Sequence, residues 1–153
     1  ANAKRIMRLG YLDTMKALGL LDGDSFAFAK GTFDKATLKA ADACARIFGL
    51  DPLILYTREI FLEKISSSVQ AAHAEAKEAL DRYSKFSGLA GLPSLKEIQA
   101  DVKAIANQRI PVFLIAYSLK EKGASSLFLS RAALHLLPEQ IHAARFLVKY
   151  ELL

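Results

Sequence analysis

The sequence predicts an all-α fold: a single domain over residues 1–153, built as a bundle of about eight helices. Three observations predict it. Apolar residues recur at three- and four-residue spacing along most of the chain. Glycine, proline and short Asp/Ser clusters punctuate those stretches where helices would start and stop. No stretch alternates apolar and polar residues beside a legible partner strand. Globin-like packing is compatible with the helix count, as an analogy and not as a match.

The first helix is expected at about 4–18, where Met7, Tyr11, Met15 and Leu18 fall on one apolar face and Gly19 terminates it. Asp22-Gly23-Asp24-Ser25 reads as a turn. Phe26 and Phe28 alternate with Ala27 and Ala29, which is strand-like; alanine favours helix and no partner strand is legible, so a short helix is expected. The next helix covers about 35–48 with Asp34 as its cap. Leu38, Ala41, Ala45 and Phe48 line one side, Lys35, Lys39, Asp42 and Arg46 the other, and Gly49 ends it.

Asp51-Pro52 has the cap-then-proline order of another helix start. Ser66 to Ser68 either break that helix or lie within one long bent helix reaching about Phe86. Gly88 to Pro93 reads as the clearest loop. Ser94 and Glu97 then form a capping box ahead of the stripe Leu95, Ile98, Val102 and Ile105. Val112 to Leu119 is apolar nearly all round, which predicts a central helix. Leu127 to Leu137 is again apolar apart from Arg131 and His135. Pro138 opens a final helix rich in Phe146, Leu147 and Val148, which either docks, pairs with another subunit, or runs on into a longer protein of which this chain is a part.

Hydrophobic residues make up 52% of the 153 and charged residues 24%, which excludes a disordered chain. That apolar content is high for a monomer of this size and suits an oligomer interface, an apolar pocket or a covered surface. The net charge of +5 permits nucleic acid or an acidic membrane as partner without demanding either; Lys4, Arg5 and Arg8 form the densest basic cluster. The one cysteine, Cys44, allows neither an intrachain disulfide nor a cysteine zinc site and points to a cytoplasmic setting. No apolar run is long enough to span a bilayer.

Motifs for chemistry are sparse. Asp22-Gly23-Asp24 opens like a calcium loop, but Phe26, Ala27 and Phe33 occupy later positions that need an oxygen ligand, glycine and glutamate. Glu139 and His142 have the Glu-x-x-His spacing of di-iron bundles, which need it twice; a solvated helix face is the simpler reading. His73, His135 and His142 show no haem-pair spacing, and no cofactor is expected. His73, with Lys77 one turn on, could serve phosphotransfer only as an exposed histidine, and Cys44 reads as a buried structural thiol. No nucleophile elbow or glycine-rich phosphate loop occurs, so a non-enzymatic role is expected.

Two functional readings follow. The first is a regulatory or sensory domain that forms a homodimer through its C-terminal helices and holds a small apolar or amphipathic ligand. Arg131 and His135, one turn apart, would bind the acidic head of that ligand, and Tyr117 would add a hydroxyl. The alternative is a DNA-binding regulator with a helix-turn-helix near residues 38–59, carried by Ala45, Gly49 and Leu55. Its recognition helix would start with apolar residues, and only Thr57 and Arg58 could read bases, so nucleic acid is the less favoured partner.

Overall fold

Ala27 to Ala29 is a strand, and the small sheet around it corrects the expected all-α bundle. The computed structural model describes residues 1–90, 108–123 and 131–153. Among them are six helices: α1 (Asn2–Ala17), α2 (Lys35–Ile47), α3 (Arg58–Ala90), α4 (Arg109–Lys122), α5 (Arg131–Leu136) and α6 (Pro138–Lys149). Three short strands accompany them: β1 (Leu21–Asp22), β2 (Ala27–Ala29) and β3 (Leu55–Tyr56). Strand β2 is central, antiparallel to β1 and parallel to β3. About eight helices with globin-like packing is therefore not this fold.

The reason is burial overriding propensity. Phe28 is fully buried, Ala27 is 1% exposed and Phe26 5%. An extended backbone sends Ala27 to one side and its two phenylalanine neighbours to the other. Phe28 then meets Phe61 with ring centroids 5.2 Å apart, and Phe33 and Tyr56 at 5.9 Å each. Phe146 of α6 closes the cluster against Phe33 and Phe61, at 5.8 and 5.5 Å. One aromatic core thus joins β2, β3, α3 and α6. The Tyr56 hydroxyl donates to the Asp51 carbonyl at 2.6 Å, and burial pushes its phenol up to about 12.

Helix starts and stops follow the sequence signals in part. Asp34 caps α2 by accepting from the Thr37 N–H at 2.8 Å. Gly19 and Gly49 take left-handed φ angles, and the next residue's N–H reaches back five residues, Leu20 to Met15 and Leu50 to Ala45. The helix expected from Pro52 begins instead at Arg58, after a turn and β3, and runs unbroken through Ser66 to Ser68. Every residue of α4 from Ile110 to Ala116 is buried, as its apolar sequence predicts. The capping box at 94–97, its stripe to Ile105, and Leu127 to Ser130 lie outside the described residues.

The last helix, α6, packs against α2 and α4. Ile141, Ala143, Ala144, Phe146 and Leu147 are buried there, so the apolar side of this helix is covered by the chain itself. The turn that starts β2 depends on Gly23, whose φ is +110° and whose added Cβ would lie 2.0 Å from the Phe26 carbonyl oxygen. Gly23→Ala is expected to cost more than about 1 kcal/mol and to lower Tm by at least about 3 °C, read by thermal denaturation. An unchanged Tm would mean that the turn does not hold the strand in place.

Candidate functional site

Two surfaces stand out: a groove between α2 and α6, and the outer side of α1. The groove is built on a buried carboxylate. Asp42, 4% exposed, accepts from the Phe26 N–H at 3.0 Å and from Arg46 at 2.8 Å. Arg46 reaches on to Glu139 of α6 at 2.6 Å. This chain of contacts fastens the edge of β2 to α2, and α2 to α6. Removing the Asp42 carboxylate would leave a buried backbone N–H unpaired, a penalty of about 1–3 kcal/mol.

The resulting groove has a volume of about 540 Å³, with Leu38, Ala43 and Pro138 among its walls and Lys35, Lys39 and His142 at its mouth. A second groove of about 250 Å³ adjoins it and shares Lys39 and His142, adding Arg145 and Lys149. The sequence groups Lys35, Lys39, Asp42 and Arg46 on one side of α2, and that side is half of the groove because α6 lies alongside. Glu139 and His142, read as a solvated face, are half-buried on its other wall.

His142 is held below the ordinary histidine value of 6.5 by burial, then by Lys39 and Arg145, with Glu139 opposing. Its neutral form is therefore favoured in the folded chain. The corresponding stability is present above pH 6.5 and is lost as pH falls through the lowered value. His142→Gln is expected to flatten the decline in stability between pH 7 and about 5, measured by denaturant titration. An equally steep decline in that variant would assign the acid sensitivity elsewhere.

Of the residues expected to form a ligand site, Tyr117 and His135 are described with their side chains and Arg131 by its backbone alone. Tyr117 on α4 is 39% exposed and is hydrogen-bonded to His73 Nε2 at 2.6 Å; burial raises its phenol. His73 also packs edge-on against Phe113, with centroids 5.3 Å apart, so it is half-buried and not a free exposed histidine. His135 is exposed on α5. The backbone of Arg131 opens the same helix, and its side chain lies outside the described residues. Cys44 is fully buried, and that burial raises its thiol well above the ordinary range. Near the suggested helix-turn-helix, residues 48–57 form a turn and β3 between α2 and α3, in place of the three- to four-residue turn of that motif.

Helix α1 is the unexpected surface. Leu12 is its one buried residue. Arg8 donates to the Leu53 carbonyl at 3.2 Å, and Lys16, its side chain 12% exposed, pairs with Asp13 at 2.9 Å and with the Asp24 carbonyl. These charges lean on the body of the protein. At 100° per residue the opposite sector holds Ile6, Ala17, Gly10, Ala3, Thr14, Met7, Leu18 and Tyr11, all exposed and none charged. Of the stripe read from the sequence, Met7, Tyr11 and Leu18 face outward and Met15 is half-buried. No described helix is long and apolar enough to cross a membrane. No protein-family model, curated protein or solved structure matches the chain.

Proposed function

We propose that this chain is a non-enzymatic regulatory interaction module that self-associates through α1 and works in the reducing cytoplasm. The outward apolar face of α1 carries this reading. Ile6, Met7, Tyr11, Leu18 and Leu20 are 68, 72, 53, 67 and 56% exposed. Together they offer on the order of 600 Å², approaching the roughly 800 Å² that each partner brings to a standard interface. The C-terminal helix, the other candidate for pairing, has its apolar residues covered by α2 and α4.

A second copy is the favoured occupant because of Gly10, which sits mid-face, where an added Cβ meets nothing within 4 Å. Nothing among the described residues calls for glycine at that place, which costs a helix about 0.5–1 kcal/mol relative to alanine. With Ala3 and Ala17 one heptad to either side, it lets another helix approach closely. A two-fold pairing of α1 with α1 uses the same patch on both copies and closes on itself. The reduced, buried Cys44 suits the cytoplasm.

Sedimentation equilibrium over a range of concentrations tests this. The wild type is expected to dimerise and its Tm to rise with concentration, and Met7→Asp with Leu18→Asp to be monomeric with an unchanged far-ultraviolet circular dichroism spectrum, since both side chains are exposed in the single chain. Gly10→Ala is expected to raise the stability of the monomer by about 0.5–1 kcal/mol while weakening the dimer. A wild type that stays monomeric at high concentration contradicts the proposal. So does binding of the wild type to anionic vesicles that is lost in the Met7→Asp variant, which would make α1 a membrane-surface helix.

A further inference from the structure

The junction of the two α2–α6 grooves gathers positive charge, with Glu139 opposing it at His142. Lys39 comes from α2, and His142 and Arg145 from α6. Neither Lys39 nor Arg145 makes an ion pair among the described residues, unlike Arg46, whose guanidinium is occupied by Asp42 and Glu139. The smaller groove is lined by Lys39, His142, Arg145 and Lys149 without a single carboxylate. The larger one continues from Lys39 and His142 into a space lined by Leu38, Ala43 and Pro138 and by the carboxylates Asp24, Asp42 and Glu139, the last two paired with Arg46.

We propose that this junction binds the phosphate of a small phosphorylated molecule, held by Lys39, His142 and Arg145, with the rest of the ligand in the larger groove. An ammonium, an imidazole N–H and a guanidinium together match a phosphate group, which carries several acceptor oxygens and more than one charge. Leu38, Ala43 and Pro138 supply apolar contact for the organic part, and a groove of about 540 Å³ is the size of ordinary small-molecule sites. The Asp42–Arg46–Glu139 chain keeps the two helices in register, so the backbone positions that carry the three binding groups are set before the ligand arrives. This site is independent of self-association through α1.

Binding is linked to protons through His142. The groups facing it are Lys35, Lys39, Asp42 and Arg46 from α2, Glu139, Arg145 and Lys149 from α6, and Asp24 from the β1–β2 turn. The cations disfavour the imidazolium, and a bound phosphate relieves that repulsion. The ligand thus raises the His142 pKa and binds more tightly at lower pH.

Histidine-edited NMR with inorganic pyrophosphate as probe, at constant ionic strength, tests the site, because the chain has three histidines. The His142 resonance is expected to shift saturably, with affinity rising by up to about tenfold per pH unit as pH falls through its titration. Lys39→Glu and Arg145→Glu, both at exposed positions, are each expected to weaken binding by about tenfold or more. Lys4→Glu with Arg5→Glu on α1 removes equal or greater positive charge elsewhere and is expected to leave binding unchanged. An unmoved His142 resonance at millimolar pyrophosphate overturns the proposal, as does equal weakening by the α1 substitutions, which would reduce the effect to net charge.

Discussion

The burial of Phe28 is the constraint on which the rest of the structure depends. Its ring contacts Phe33, Tyr56 and Phe61, and through them Phe146. These residues come from β2, the following loop, β3, α3 and α6. Replacing such a ring by alanine costs about 3–5 kcal/mol, a large share of the stability of an ordinary domain. An extended backbone at Ala27–Ala29 is what brings Phe28 to that centre. The strand in turn needs β3 beside it, so residues 50–57 are drawn into a turn and a strand, and α3 starts only at Arg58.

A second constraint is polar. The Asp42 carboxylate sits within the protein and meets the Phe26 N–H and Arg46. Phe26 immediately precedes β2, so the aromatic core and the α2–α6 pair are joined by one buried group. A buried carboxylate with all its contacts made is rigid, and with one removed it is costly. The same arrangement occupies the guanidinium of Arg46 and leaves Lys39 and Arg145 without an ion pair among the described residues, on either side of a His142 whose neutral form is favoured.

Much of the helical frame was legible in the sequence. The Asp34 cap, the Gly19 and Gly49 terminators and the all-apolar α4 are local signals that tertiary structure did not override. The sheet was not legible, for physical reasons. Its strands have two or three residues, too few for a period of two to register, and β2 pairs in parallel with a segment that opens with a helix-start signal at Asp51-Pro52. Tyr117, Arg131 and His135 stand out in the sequence by their polarity within apolar stretches, which says nothing about convergence. The groove needed the opposite knowledge: that α6 lies along the charged side of α2, so that Glu139 and His142 meet Lys39 and Arg46 from distant parts of the chain. The i, i+4 pair Asp42–Arg46 was the one local hint. For α1 the periodicity was read correctly, but periodicity alone does not say which side faces the body.

An aromatic-centred core carrying an outboard helix makes two demands on dynamics. Amides in β2 should open only when the whole core does, while α1, holding to the body through Leu12, Arg8 and Lys16, should open on its own unless another copy covers it. Amide hydrogen exchange at several protein concentrations reads both at once. Protection in α1 that climbs with concentration, beside a high and concentration-independent protection in β2, is the result this account requires. Exchange in β2 as fast as in α1, or α1 protection that ignores concentration, would contradict it.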